Sequence, residues 1–203
     1  MNDVIQMLMT YLLLILTAIT VENAVFARAM GLSRLISLVD NTPSTVIFSV
    51  LLLVTTTLSG VLYYYLHHLY ISQMSEATMY RVLAVVLCMS VAFIFVFVVA
   101  IKLMPYEHVG KAAEAMPTAT FNCMVFGTIM LTVSEQMTLV QTIVFSIGSA
   151  IGYTIAILLV TEGQRKLQSR DIPAAFKGLP ATLLYLAGLA MAVYGFTGRV
   201  FSL

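Results

Sequence analysis

Long apolar runs separated by short polar links dominate the chain. The runs cover residues 4–32, 46–66, 80–103, 118–133, 139–161 and 180–197. A helix needs about 20 apolar residues to cross a bilayer, so this pattern predicts about six helical crossings. The fourth run is short for a crossing. Glu22, Asn23 and Arg28 interrupt the first run, which predicts a broken helix there.

Composition agrees with lipid as the main solvent. Apolar residues make up 61% of the 203 residues and charged residues 9%, whereas a soluble domain carries about 25% charged residues. Too few charges remain to cover a water-facing surface. The net charge of +1 gives no basic patch, so no nucleic-acid partner is expected.

The positions of lysine and arginine predict an orientation. If the N-terminus lies outside, the outer side holds only Arg81 and Arg199. The inner links then hold the larger set, which is Arg34, Lys102, Lys111, Arg165, Lys166, Arg170 and Lys177. Basic residues favour the cytoplasmic side, so the sequence predicts that both termini are outside. The link 162–179 is then a cytoplasmic loop.

The two halves of the chain resemble each other weakly. The stretch 21–27 is similar to the stretch 120–127, and each lies in the first run of a three-run half. An odd number of crossings per half gives the halves opposite orientations. The sequence therefore predicts an all-α integral membrane protein of six transmembrane helices. They form two inverted three-helix repeats, 1–104 and 117–203, each with a broken first helix.

Glu22 and Asn23 are the first candidates for function. A carboxylate inside an apolar run costs about 2.5–3.5 kcal/mol on insertion scales. Glu22 is therefore either part of an ion or proton path, or a polar residue that satisfies backbone N–H groups freed in a buried helix break. The sequence leaves both interpretations open.

Asn122 and Cys123 are the second candidates. A lone cysteine in a membrane helix is most often a small packing residue. The alternative is a thiolate ligand to a redox metal, which needs further ligands from elsewhere. Cys88 lies among apolar residues and is interpreted as packing.

Three other features have structural interpretations. His67 and His68 are predicted to form an interfacial pair rather than a metal site. Gly148 and Gly152 form a GxxxG step, which is a helix-packing device in membranes. Glu135 lies in a short link and is expected to be solvated.

Three segments together resemble the Rnf A subunit family, to which the Nqr D and E subunits are related. The stretch 22–32 is similar to that family's first broken helix. The stretch 120–127, with its Asn-Cys pair, is similar to the second broken helix. The stretch 171–178, Asp-Ile-Pro-Ala-Ala-Phe-Lys-Gly, resembles the family's Asp-Val-Pro-x-x-Phe-Arg-Gly loop.

The resemblance implies a function that composition does not show. Members of the family belong to a bacterial inner-membrane complex that transfers electrons from ferredoxin or NADH and couples the transfer to Na⁺ or H⁺ transport. The family's A-type member pairs with a homologous E-type subunit, and the pair shares a [2Fe–2S] cluster. On this resemblance Cys123 is a cluster and metal ligand, and Asn122, Asn23 and Glu22 shape the breaks or the ion path.

The chain departs from the family at one ligand. The family's other cysteine falls at Ser33, and a serine oxygen is a poorer ligand for iron than a thiolate. Ser33 is therefore a conditional ligand. Either the cluster is bound with altered ligation, or the cofactor is different or absent, or the protein serves as a scaffold.

The resemblance leaves two other functions open. One is a secondary transporter built from inverted repeats, and the other is a non-redox scaffold subunit. The chain has no glycine-rich phosphate loop, so no catalytic residue is predicted in it. Any oxidation of a substrate is expected on other subunits of the complex.

Overall fold

The chain folds as a bundle of α-helices. The computed structural model describes residues 2–32, 42–73, 77–103, 106–167 and 178–197. Within them lie seven helices and one short 3₁₀ helix, Ile71–Gln73. The helices are α1 (Asn2–Ile19), α2 (Thr42–Leu69), α3 (Ala77–Leu103), α4 (Tyr106–Thr120), α5 (Cys123–Ser134), α6 (Leu139–Leu167) and α7 (Leu179–Thr197).

Three of these helices are long and apolar enough to cross a membrane, namely α2, α3 and α6. Helices α4 and α5 pass the same test only as a pair bent by 45°, which is the shape of a broken span or of a re-entrant loop. Helices α1 and α7 are apolar but shorter. The prediction of an all-helical integral membrane protein is therefore confirmed, while six crossings in two inverted repeats remain a prediction.

The fourth apolar run is predicted from the sequence to begin at residue 118, and this boundary is wrong. Helix α4 begins at Tyr106, and Pro117 lies inside it. The buried face of α4 is formed by Ala112, Ala115, Met116 and Ala119. This is the i, i+3, i+4, i+7 spacing of an amphipathic helix, which the polar residues between those positions obscure.

Helix α6 continues to Leu167, so the first residues of the predicted cytoplasmic loop 162–179 are helical. The cytoplasmic location of that loop stays a prediction. Gly163 lies directly against the ring of Tyr185, whose hydroxyl donates a hydrogen bond of 3.3 Å to the carbonyl of Leu159. Residues 168–177, which include most of the Asp-Ile-Pro motif, lie outside the described residues.

Helices α2 and α6 are the two central elements, because α3, α4, α5 and α6 pack on α2 while α1, α2, α5 and α7 pack on α6. The GxxxG step makes the contact with α1 close. A Cβ atom on Gly148 would lie 2.8 Å from the Cβ of Ala18, and one on Gly152 would lie 3.1 Å from the Cα of Ile19. The prediction that these glycines serve helix packing is confirmed.

Candidate functional site

The first helix break follows α1 and is organised by Asn23. This side chain is 2% exposed. Its Oδ1 accepts hydrogen bonds from the backbone N–H groups of Val25 (2.9 Å) and Phe26 (3.3 Å). Its Nδ2 donates to the carbonyls of Ile19 (2.8 Å) and Gly152 (3.1 Å). Asn23 therefore satisfies backbone groups that the break leaves free and ties the break to α6.

Glu22 has a different role in the same break. Its carboxylate pairs with Arg28, whose Nε lies 3.2 Å from Oε2 and whose Nη2 also donates to that oxygen. The two side chains are 36% and 35% exposed, respectively. Asn23, rather than Glu22, therefore satisfies the backbone N–H groups that the break leaves free. The ion-path interpretation of Glu22 stays a prediction.

The second helix break lies between α4 and α5 and is organised by Asn122. This residue is the N-cap of α5, and its Oδ1 accepts a hydrogen bond of 3.1 Å from the N–H of Met124. Its Nδ2 donates a hydrogen bond of 3.2 Å to the hydroxyl of Tyr153 on α6. Asn122 is 5% exposed. The two breaks are therefore capped by the same residue type in the same way, with the asparagine oxygen bonded to the N–H two residues later.

Tyr153 joins the two breaks. Its ring is fully buried, and its hydroxyl donates a hydrogen bond of 2.8 Å to the carbonyl of Gly31 while it accepts the one from Asn122. Sequence reasoning missed this residue. A tyrosine in the middle of an apolar helix carries a hydroxyl that needs a partner when it is buried, and that signal could have identified it.

Gly31 allows the close approach of the breaks. Its φ is +73°, a left-handed conformation that glycine adopts without steric cost. A Cβ atom there would lie 2.8 Å from Oδ1 of Asn122 and 2.7 Å from the hydroxyl oxygen of Tyr153. The bend that ends the first break is therefore in contact with the residue that precedes Cys123. Ser33, the conditional ligand, lies outside the described residues.

Cys123 is the first residue of α5, and its side chain is exposed. It lines a cavity of about 440 Å³ together with Arg28 and Met30 of the first break and Arg81 of α3. Met30 lies directly over Gly127, one turn further along α5. The thiol and the first break thus share one cavity.

The charge around this cavity is positive. Arg28 is paired with Glu22, whereas the Nε of Arg81 is buried and has no hydrogen-bond partner among the described residues. A partly desolvated guanidinium attracts an anionic group. The cavity can therefore accept an anion beside the Cys123 thiol.

The remaining candidates are structural. Cys88 is 3% exposed in α3 and belongs to the hydrophobic core, so its prediction as a packing residue is confirmed. Glu135 is exposed at the end of α5, also as predicted. Within the described residues, no group of three or more His, Cys, Asp or Glu side chains could hold a metal ion.

Comparison with known proteins gives consistent matches along the chain. A family model described as "Rnf-Nqr subunit, membrane protein" matches residues 11–200. A relative from Shewanella baltica (strain OS223), whose name makes it the A-type subunit of an ion-translocating oxidoreductase complex, is 26% identical over 94% of this chain and 98% of its own length. A relative of the same name from Pseudoalteromonas translucida is 28% identical over 94% of this chain and 97% of its own length.

Proposed function

Since this chain belongs to the Rnf-Nqr family of membrane subunits, we propose that it is the A-type subunit of an ion-translocating oxidoreductase complex in a bacterial inner membrane. In this proposal it relays electrons through a [2Fe–2S] cluster that it shares with a homologous E-type subunit. Other Rnf-like subunits carry the sites that oxidise and reduce substrates. Both termini of the chain lie outside.

One observation carries this proposal. Cys123 lies on the wall of a cavity that also contains the end of the first break, at Arg28 and Met30. The bend at Gly31 contacts Asn122, the neighbour of Cys123. The two segments that resemble the family's cluster-binding segments therefore meet in space, although about ninety residues separate them in the chain.

The residues around the cavity fit an iron–sulfur cluster. Such clusters are held by cysteine thiolates, usually four, and the assembly of thiolates and cluster is an anion. Cys123 supplies one thiolate from an exposed position, and Arg81 and Arg28 supply positive charge. The exposed thiol leaves room for a second chain to add ligands, with Ser33 as the conditional oxygen ligand from this chain.

The helix packing supports the inverted repeat that this pairing needs. Helix α1, before the first break, packs on α6, and α4, before the second break, packs on α2. In an inverted repeat, α1 of the first half corresponds to α4 of the second half, and α2 corresponds to α6. The α1–α6 contact and the α4–α2 contact are then equivalent. Two halves related in this way place their broken helices side by side, as in other inverted-repeat membrane proteins.

The proposal can be tested on the chain co-purified with its partner subunits. We expect about two iron atoms per pair of homologous subunits, together with visible absorbance. Cys123→Ala should remove most of the iron and the absorbance. Cys88→Ala is the matched control, since that thiol is packed in the core, and it should keep both.

Two outcomes would contradict the cluster proposal. One is a correctly assembled complex without iron, and the other is iron that persists after Cys123→Ala. An iron-free complex that specific solutes stabilise against heat would instead support the secondary transporter. An iron-free complex that needs the chain only for assembly would support the scaffold.

A further inference from the structure

A second cavity lies at the C-terminal end of α2, and Val133 of α5 lines both this cavity and the Cys123 cavity. We name the second cavity the vestibule. Its volume is about 320 Å³. Its polar wall is formed by side chains from α2, α6 and the link before α6, namely Tyr63, Tyr64, His67, His68, Gln136 and Thr142.

Two polar groups at the vestibule have unused hydrogen-bonding capacity. Tyr63 is 1% exposed, and its hydroxyl has no hydrogen-bond partner among the described residues. The same holds for the buried Nε2 of His67. Buried polar groups are nearly always hydrogen-bonded to protein or to water, and a roomy polar cavity holds water. These two groups therefore indicate that the vestibule is wet.

A row of hydroxyls leads inward from the vestibule along α6. Thr142, Ser146, Ser149 and Tyr153 lie within about 60° of one another on a helix that turns about 100° per residue. All four are buried, with exposed fractions of 2%, 0%, 2% and 0%. The hydroxyl of Ser146 has no hydrogen-bond partner within the described part of the chain. The row rises about 16 Å along the helix.

The row runs beside α2 at a close helix crossing. A Cβ atom on Gly60 would lie 3.1 Å from the Oγ of Ser146 and 3.5 Å from Cγ2 of Thr142. The absence of a side chain at Gly60 lets the two helices approach closely at Ser146, and any side chain at position 60 would crowd the Ser146 hydroxyl. Ser146 lies between the vestibule, which Thr142 and Tyr63 line, and the hydroxyl of Tyr153, which contacts both helix breaks.

We propose that the vestibule and the hydroxyl row carry a file of water that conducts protons between one aqueous side of the membrane and the two helix breaks. The relaying groups are the hydroxyls of Tyr63, Ser146 and Tyr153. The route extends the proposed function, but it does not depend on the presence of a metal cluster.

Protons suit this route better than a metal cation does. Hydroxyls and neutral imidazole both donate and accept hydrogen bonds, so each transfer breaks one O–H or N–H bond and forms the next. Among the described residues, no carboxylate lines the vestibule, and Arg81 acts electrostatically on both Tyr63 and His67. Positive charge there disfavours a bound metal cation. A proton transferred along a chain of hydrogen bonds does not need to stay bound as an ion at this position.

Water access can be tested with a thiol placed in the row. Ser146→Cys is introduced into the assembled complex, which is treated with Ag⁺ and then denatured and alkylated. Mass spectrometry measures the fraction of each cysteine that Ag⁺ protects. Ser90→Cys on α3 is the control, because the Ser90 hydroxyl bonds to the Val86 carbonyl and neighbours the outward-facing Val91 and Ile94.

We expect Ag⁺ to protect Ser146→Cys at least tenfold faster than Ser90→Cys. Ser149→Cys, one turn further inward, should behave like Ser146→Cys and serves if the first variant fails to assemble. Equal and slow protection at all three positions would overturn the proposal, because it would show a dry row.

Proton transfer is tested in vesicles that contain the complex, with electron flow driven chemically. Ser146→Ala should lower proton uptake per electron several-fold and leave iron content and heat stability unchanged. Thr154→Val is the control, since its hydroxyl bonds to the Ala150 carbonyl of its own helix. Unchanged proton uptake in Ser146→Ala would overturn the route, as would a wild-type complex that takes up Na⁺ and no protons. Iron measured on the same samples shows separately whether the cluster proposal holds.

Discussion

The hydroxyl of Tyr153 donates a hydrogen bond of 2.8 Å to the carbonyl of Gly31, across 122 positions of the chain. This bond joins the middle of α6 to the bend that ends the first break. The same oxygen accepts from Asn122, so one phenol holds both breaks in position.

Tyr153→Phe should destabilise the protein. The change leaves the Gly31 carbonyl and the Asn122 amide without this hydroxyl in a buried site, and each such loss costs about 1–3 kcal/mol. The loss of heat stability in detergent measures the effect. Tyr194→Phe is the matched control because that ring is 75% exposed, and equal stability of the two variants would contradict the role of Tyr153.

Asn23→Ala should be more damaging than Asn23→Asp. Alanine removes the acceptor for two backbone N–H groups and the donor to two carbonyls. Loss of a cap alone costs about 0.5–2 kcal/mol, and unsatisfied buried groups add to that. Aspartate keeps the acceptor and loses the donor. Thermal unfolding should therefore rank wild type above Asp and Asp above Ala, and an alanine variant as stable as wild type would refute the capping role.

Gly31→Ala should reduce the yield of folded protein through two separable effects. The left-handed conformation costs a non-glycine residue about 1–2 kcal/mol, and the new Cβ collides with Tyr153 and Asn122. Gly178→Ala isolates the first effect, because Gly178 has a φ of +85° and no described atom within 4 Å of its Cβ position. Gly188→Ala has neither problem and should keep or slightly raise stability, because alanine is a better helix former than glycine inside α7.

The difference in stability between Gly31→Ala and Gly178→Ala then measures the closeness of the two breaks. We expect Gly31→Ala to be the less stable by at least about 1 kcal/mol, as for an overpacked site. If the two variants lose the same stability, the breaks do not touch as described.

The Glu22–Arg28 pair should contribute little to folding. Both side chains are about one-third exposed, and exposed ion pairs contribute about 0–1 kcal/mol. A double-mutant cycle with Glu22→Gln and Arg28→Gln measures the coupling energy. A coupling energy of several kcal/mol would show instead that lipid surrounds the pair.

The position of the first break was predictable, because a polar pair inside an apolar run is costly in lipid unless it satisfies the backbone or a partner group. The second break was expected only from the likeness of residues 120–127 to residues 21–27 and to the family's second broken helix. Asn23 and Asn122 are the residues that cap the breaks. The assignment of roles within the first pair was not predictable. Glu22 and Asn23 are adjacent, and only the folded positions of Arg28 and the Gly152 carbonyl decide which of them serves the backbone.

Contacts across long sequence separations escaped prediction for a physical reason. Periodicity shows which face of a helix is buried, but not what lies opposite that face. Tyr153 therefore looked like one more residue of an apolar run. Helix α4 was missed for a different reason, since Glu107, Lys111 and Glu114 lower the hydrophobicity of a segment whose spacing is helical.

The close seating of α1 on Gly148 and Gly152 has a consequence for biogenesis. Helix α1 is synthesised before α6, and the surface on α6 that receives it follows 129 residues later in the chain, where Asn23 meets Gly152. During synthesis α1 must therefore stay at the membrane without α6, the helix on which it packs. A chain that stops after α3 should remain open to degradation, because the two halves mature as one unit.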